Sequence, residues 1–439
     1  MNYLNKGLKL AGYICSFLMM VPGWGQIKEG SVHETIQHQT ESIFDSLVQI
    51  RRNIHEYPEV AGNEKRTSAL VKEYLLRLGM EVKTNIGGYG VVGILKGDKK
   101  GKKIAWRADM DALSSDIAET SEFASNNKGV RHICGHDVHT TIALGMANVL
   151  AGHKDKIQGT VYFIFQPSEE NYQGAQAMIN DGLYEIISPD EIYATHISPM
   201  PSGLVATKSG YLFADYKQIN ITYKGSNENE SVIKFTENLV SDLQNVAAES
   251  KFRDTRNLMD SDIGIGNPST IYKNYLTVGK HFETKQKDKK LTVSAFLSAS
   301  SKELMDSVPA MMRQKIEQSE FAGLLLDIEY SSPRFEYSTE RGNILNDEHL
   351  TPQSIETLAG IYGKSSIIPL FGVIPDGRGD DFAYFQEKTP GIYFLLGGSD
   401  FQKEIIAMPH SPNFMVDEQC IKTGVNYFSS MIWERLNTP

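Results

Sequence analysis

Three apolar runs that stop abruptly at polar side chains constrain this chain more than any other feature. Gly90-Val91-Val92-Gly93-Ile94-Leu95 is the first, and Ile104-Ala105-Trp106 inside 103–107 is the second. The third spans 159–165 and ends in Phe163-Ile164-Phe165. Short apolar runs of this kind read as strands buried within a sheet. Segments of helical period lie around them. Phe44, Leu47, Ile50 and Ile54 recur at helical spacing over 42–57, and Pro58 ends the pattern. Leu70, Val71, Tyr74, Leu75 and Leu78 line one face over 67–78. Further helices are predicted over 140–150 and 175–181, with a short strand over 191–196. Strands alternating with helices define an α/β sheet.

The middle of the chain changes character. A strand is predicted over 217–224, with Ile219 and Ile221 on one side, followed by a helix over 231–250. Strands over 271–282 and 291–297 bracket a polar segment, 283–290, as in a hairpin. A helix over 302–319 and a strand over 324–330 complete the order βαββαβ, that of a ferredoxin-like module. The α/β pattern then resumes with a helix over 354–362, a strand over 391–396 and a terminal helix over 417–435. A small α+β domain, 214–332, is therefore expected as an insertion between two parts of one α/β domain, 26–213 and 333–439. A length of 439 residues suits two cores better than one.

Charge excludes one class of partner. The formal net charge of −10 and the lack of a basic stripe argue against nucleic acid. The lysine runs at 99–103 and 285–290 read as solvated turns. The N-terminus carries Lys6 and Lys9, an apolar run over 10–21, and Gly23-Trp24-Gly25. This is the layout of a secretory signal peptide over 1–25, and the run is short beside the roughly 20 residues of a membrane span. The expectation is a secreted or periplasmic protein with no membrane association after cleavage, an uncleaved anchor being the alternative. Cys15 leaves with the signal, and Cys134 and Cys420 alone make no disulfide framework.

The chemistry concentrates at a few points. His132-Ile133-Cys134-Gly135-His136-Asp137-Val138-His139 packs three imidazoles, a thiol and a carboxylate into eight positions. Thiolate and imidazole are good ligands for zinc and similar divalent ions. Cys134 and His136, two apart, face one way on extended or looped backbone, and Asp137 is placed to orient a neighbouring histidine. A polar helix cap leading into Thr140 is the plainer alternative. Phe165-Gln166-Pro167-Ser168-Glu169-Glu170 brings a strand straight into paired carboxylates, at the strand end where α/β folds place ligands. Metal-assisted hydrolysis needs both a Lewis acid and a proton shuttle. Arg107-Ala108-Asp109-Met110-Asp111 repeats the arrangement. There either aspartate serves as a ligand or an outer carboxylate, or simply pairs with Arg107. His196 follows Ile192-Tyr193-Ala194-Thr195, and His410 lies in Met408-Pro409-His410-Ser411-Pro412.

Taken in order, these motifs resemble the hippurate hydrolase and auxin-conjugate amidohydrolases, within the aminoacylase–carboxypeptidase group of dinuclear metallohydrolases. The resemblance runs from Arg51-Arg52-Asn53-Ile54-His55 with Pro58-Glu59, through Arg107 to Leu113, 132–140 and 165–175. It continues with Ala194-Thr195-His196, and closes at Asp380-Asp381-Phe382 and His410-Ser411-Pro412-Asn413-Phe414. It implies a zinc-peptidase-like α/β catalytic domain with an inserted ferredoxin-like α+β lid. It implies two divalent metal ions, Zn²⁺ or Mn²⁺, held by Cys134, His136, Glu170, His196 and His410. It also implies Glu169 as general base and Asp111 as a carboxylate that orients an imidazole. The implied substrate is a small-molecule amide or short peptide, such as an N-acyl amino acid or related conjugate. A homodimer formed through the lid is a further implied partner.

The lid departs from the resemblance. Relatives place a histidine in the glycine-rich turn after the first lid strand, where this chain reads Lys224-Gly225-Ser226-Asn227-Glu228-Asn229-Glu230. They place an asparagine and an arginine on the hairpin, where this chain offers His281 and a lysine-rich turn. They carry Glu where Asp380 stands. Two readings follow: an amidohydrolase with altered substrate recognition, or a metal-binding protein with a degenerate lid and little or no catalysis.

Overall fold

A computed structural model describes residues 30–119, 121–331, 343–375 and 379–437. The expected signal peptide and the expected boundary at 332/333 lie outside the described residues. An eight-stranded sheet forms the larger body. Its strands run in the order Glu81–Ile86, Gly90–Lys96, Gln158–Gln166, Lys99–Asp109, Glu191–Pro201, Gly391–Ser399, Val205–Thr207, Ile367–Pro369. The four central strands, from Gln158–Gln166 to Gly391–Ser399, are mutually parallel. Their C-terminal ends therefore open at one edge of the sheet, where such folds bind ligands.

Side-chain alternation explains why this sheet is covered on both faces. Ile104, Trp106, Ala108, Val161, Phe163 and Phe165 join one apolar cluster, and Ala105, Tyr162 and Ile164 join another. The first cluster includes residues of the helices Val32–Glu56, His136–Ala151 and Gln419–Asn437. The second includes Ala175 and Met178 of Gly174–Asn180 and the aromatic rings of Phe382 and Phe385. Arg107 sits in the middle of this dry sheet, wholly buried.

A separate four-stranded antiparallel sheet is formed between residues 215 and 331, in the order Leu276–Lys287, Lys290–Ala299, Asp215–Lys224, Leu325–Ser331. The helices Asn229–Ser241 and Lys302–Glu317 supply Val232, Met305 and Met312 to a core with Ile219, Ile221, Val293 and Leu297. The element order is the expected βαββαβ. On the sheet's other face several polar side chains bond to one another, beside the stacked rings of Tyr216 and Phe296. Ser294 Oγ donates to Asn220 Oδ1 at 2.7 Å, Asn220 Nδ2 to Ser331 Oγ at 2.9 Å, and Ser331 Oγ to Gln218 Oε1 at 3.1 Å.

The structure moves several expected boundaries. The polar segment 283–290 is mostly paired strand, and the turn shrinks to Asp288 and Lys289, both at positive φ (53° and 57°). Two such residues make the tight turn whose twist suits a hairpin, so the polarity marked a solvated sheet face and not a long loop. The helix expected over 231–250 stops at Ser241. The first helix begins at Val32, where Ser31 accepts the amide of Glu34. Val205–Thr207 and Ile367–Pro369 have three residues each, too short for any period to show. Among the described residues, no helix is long and apolar enough to cross a membrane.

Candidate metal centre

The chemical motifs arrive from different elements of the larger sheet and its connections. Asp109 closes Lys99–Asp109, and Asp111 follows two residues on. Pro167 to Glu170 leaves Gln158–Gln166, and His196 lies within Glu191–Pro201. The helix expected to begin near Thr140 begins at His136, so His136 to His139 form its first turn and Cys134 lies in the loop before it. Gly135 enters that helix at φ 98°, and a Cβ there would meet Ile197 at 3.2 Å. This left-handed step, open to glycine at little cost, turns Cys134 and His136 towards a common point.

Two sets of donor atoms meet there and share one sulfur. Cys134, His136 and His196 form one group, and Cys134, Glu170 and His410 the other. Within each group the donor atoms lie within 4.8 Å of one another. Cys134 Sγ is 3.2 Å from His196 Nε2 and 3.2 Å from His410 Nε2. His410 Nε2 is 3.3 Å from Glu170 Oε2, and His136 Nε2 is 3.7 Å from Glu170 Oε1. The rings are turned for coordination. His196 Nδ1 is tied to the carbonyl of Ile197 at 2.7 Å, which leaves Nε2 as the bare nitrogen. His136 Nδ1 faces Asp111 Oδ1 at 3.3 Å.

The donor set fits divalent cations. His136 Nε2 and Glu170 Oε1 are buried and have no hydrogen-bond partner within the protein. Such atoms are costly unless something else satisfies them. Burial, then the charges of Glu170, Glu169 and Asp109, push the Cys134 thiol far above its usual range. His136 is pushed up to about 10 because Asp109, Asp111 and Glu170 outweigh its burial. A divalent cation reverses that balance and makes a thiolate tolerable among carboxylates. A thiolate with imidazoles suits zinc, and carboxylate suits manganese as well.

Glu169 stands beside these donors, 5% exposed, with its Oε2 3.7 Å from His136 Nε2. Burial, then Asp380 and Glu170, push its carboxyl well above the usual range. That is the behaviour of a group placed to hold a proton. Its carboxylate also lies within 4.8 Å of those of Asp380 and Asp381.

The structure decides what the sequence left open. Asp109 accepts from Arg107 at 2.6 Å and faces His139 Nδ1 at 2.6 Å, so it pairs with Arg107 and orients an imidazole at once. His139 Nε2 takes the amide of Ile197 at 2.9 Å, so this histidine pins the backbone next to His196. Burial lowers His132 to about 3, which keeps it neutral. Asp137 partners no histidine of its own segment. It holds His55 Nδ1 at 2.7 Å and Arg51 Nε at 2.8 Å, both from the first helix. Asp111 is more than an imidazole's partner, since its two oxygens accept the amides of Glu169 (3.1 Å) and Glu170 (2.9 Å).

Sequence reasoning missed the cluster around Arg107. Its guanidinium reaches Asp380 at 3.0 Å, Asp381 at 3.1 Å and Gln166 at 2.7 Å, and Tyr393 donates to Asp380 at 2.7 Å. A signal was present: an arginine inside an apolar strand demands buried countercharge. Within the second sheet, His281 is exposed on the strand Leu276–Lys287.

Comparison with known proteins gives the same answer. Residues 105–434 match the family described as peptidase family M20/M25/M40. The thermostable carboxypeptidase 1 of Saccharolobus solfataricus is 32% identical over 398 residues, covering 89% of this chain and 95% of the relative. The IAA-amino acid hydrolase ILR1-like 5 of Arabidopsis thaliana is 27% identical over 401 residues, covering 89% and 87%. The crystal structure of the Bacillus subtilis YXEP protein, a dinuclear metal-binding peptidase of the M20 family, is 25% identical. It matches with a TM-score of 0.69 over 91% of this chain and 100% of that one. The chain belongs to peptidase family M20/M25/M40, the metal-dependent hydrolases of amide bonds.

Proposed function

We propose that this protein hydrolyses the amide bond of an N-acyl amino acid, a small peptide or a related conjugate. Two divalent ions, Zn²⁺ or Mn²⁺, would be held by Cys134, His136, Glu170, His196 and His410. The observation that carries this reading is the sharing of Cys134 Sγ between two donor groups with Glu169 alongside. When bound, the ions polarise the amide carbonyl and make water acidic enough to ionise near neutral pH. Glu169 accepts the proton of the attacking water and passes it to the leaving nitrogen. Burial supports that duty, because a carboxylate removed from bulk water is a stronger base. Asp111 keeps His136 and the Glu169-Glu170 backbone in place. The names of the relatives, a carboxypeptidase and an IAA-amino acid hydrolase, support amino-acid amides as the substrate class.

The test is hydrolysis of a panel of N-acyl amino acids and dipeptides with Mn²⁺ or Zn²⁺, alongside metal analysis. Wild type should turn over part of the panel and Glu169→Ala none of it, with both binding metal. No turnover of any substrate by either protein, with both binding metal, would instead support the metal-binding reading without catalysis.

We further take 26–213 and 333–439 as the catalytic domain, 214–332 as a lid through which two copies pair, and 1–25 as a signal peptide. N-terminal sequencing of the mature protein and its mass in solution check the last two.

A further inference from the structure

The turn that carries Glu169 and Glu170 is held by its backbone in an unusual way. Three successive amides, those of Ser168, Glu169 and Glu170, each donate to a buried carboxylate. The last two go to Asp111, and Ser168 N goes to Glu64 Oε1 at 2.8 Å. Ser168 adopts φ 57°, left-handed backbone that a serine seldom takes without outside restraint. Ser168 Oγ is 3.5 Å from the same Glu64 oxygen. Glu64 Oε1 also accepts the amide of Gly62 at 2.9 Å.

Glu64 comes from the start of the helix Lys65–Arg77, over a hundred residues away in the chain from the turn it grips. Its side chain is fully buried, and its Oε2 has no hydrogen-bond partner. A buried carboxyl with an idle oxygen is costly and adds little to stability. It is better explained by what its other oxygen holds. Burial, then the nearby Asp111, push this carboxyl up to about 7.

We propose that Glu64 is a positioning residue for the base. Its carboxyl fixes Ser168 in the left-handed conformation and so aims Glu169 at the water and Glu170 at the metal. This rests on the hydrolase reading above. Misplacing a reacting group by about 1 Å costs about a hundredfold in rate, so a released turn should show in kcat and leave KM nearly unchanged.

Reach and charge are separable. Glu64→Asp keeps the charge and withdraws the oxygen, and Glu64→Gln keeps a carbonyl oxygen at full reach. The expected result is a kcat loss of about a hundredfold in Glu64→Asp and Glu64→Ala, with Glu64→Gln within a few-fold of wild type. Adding Ser168→Gly, which accepts positive φ freely, should restore about tenfold to Glu64→Ala. A readout without turnover accompanies these. Amide exchange at Ser168 in the metal-free protein should quicken in Glu64→Asp and not in Glu64→Gln, and the Co²⁺ absorption spectrum should change only in the former. Wild-type exchange, spectrum and kcat in Glu64→Asp would overturn the proposal, as would Glu64→Gln behaving like Glu64→Asp. If wild type cleaves nothing on the panel, the hydrolase reading fails by itself, and exchange and the Co²⁺ spectrum still decide the positioning role.

Discussion

The two sheets of this protein treat polar side chains in opposite ways. On the free face of the smaller sheet, Gln218, Asn220, Ser294 and Ser331 bond to one another. At the open edge of the larger sheet, Glu169, Asp380 and Asp381 crowd together, and His136 Nε2 and Glu170 Oε1 are left without partners. The four side chains of the first arrangement satisfy one another. In the second, two unpartnered atoms converge beside a thiol and two further imidazoles, and a cation would satisfy them together.

This contrast can be broken at the base first. Glu169→Gln keeps the shape of the side chain and removes its basicity, and turnover should fall by about 10²- to 10⁴-fold with metal content unchanged. Arg107 gives the next largest effect. It faces Asp109, Asp380 and Asp381 inside the sheet. Arg107→Met should destabilise the fold by about 3–5 kcal/mol, because it leaves buried carboxylates without their cation. Denaturant unfolding of the metal-free protein measures it.

The support beneath the site is sensitive to pH. His55 is paired with Asp137 and with Glu119, whose oxygen is 2.6 Å from Nε2. Burial opposes the charges of both partners, yet Asp137 and Glu119 raise His55 above its ordinary 6.5. Burial likewise opposes, and His55 outweighs it, to bring Glu119 from 4.5 down to about 2. The stability carried by a raised histidine is complete below pH 6.5 and is lost as pH rises through its folded value. That of a depressed carboxyl is complete above pH 4.5 and is lost towards about 2. The melting-temperature difference between wild type and His55→Gln should therefore be widest between pH 4.5 and 6.5 and should narrow on either side. The smallest effect belongs to the polar cluster of the smaller sheet. Asn220→Ala should cost about 1 kcal/mol or less in unfolding experiments and leave turnover on the panel unchanged.

Much of this was legible in the residues. Runs such as Phe163-Ile164-Phe165 read as buried strands because a parallel strand covered on both faces has no polar side to show. Cys134 and His136 stood out because a thiol among imidazoles is chemically conspicuous, whereas the full set with Glu170, His196 and His410 came from the resemblance of the ordered motifs to a known family. Local spacing failed where partners lie far apart in the chain. Asp137 was expected to serve a near neighbour and instead holds His55, 82 positions upstream. Polar 283–290 was expected to be the turn region of a hairpin and is mostly strand, because a solvated sheet face and a turn have the same composition.

The sequence by itself determined the α/β class, the inserted βαββαβ module and the residue types that meet at the site. Those follow from period and composition, which are properties of short segments. Only the tertiary structure decided that Cys134 Sγ belongs to both donor groups, that Asp109 is bound to Arg107 and His139, and that Glu64 grips the turn before Glu169. Each of those depends on which strand ends become neighbours. The parallel order of the sheet fixes that, and it brings together side chains from opposite ends of the chain.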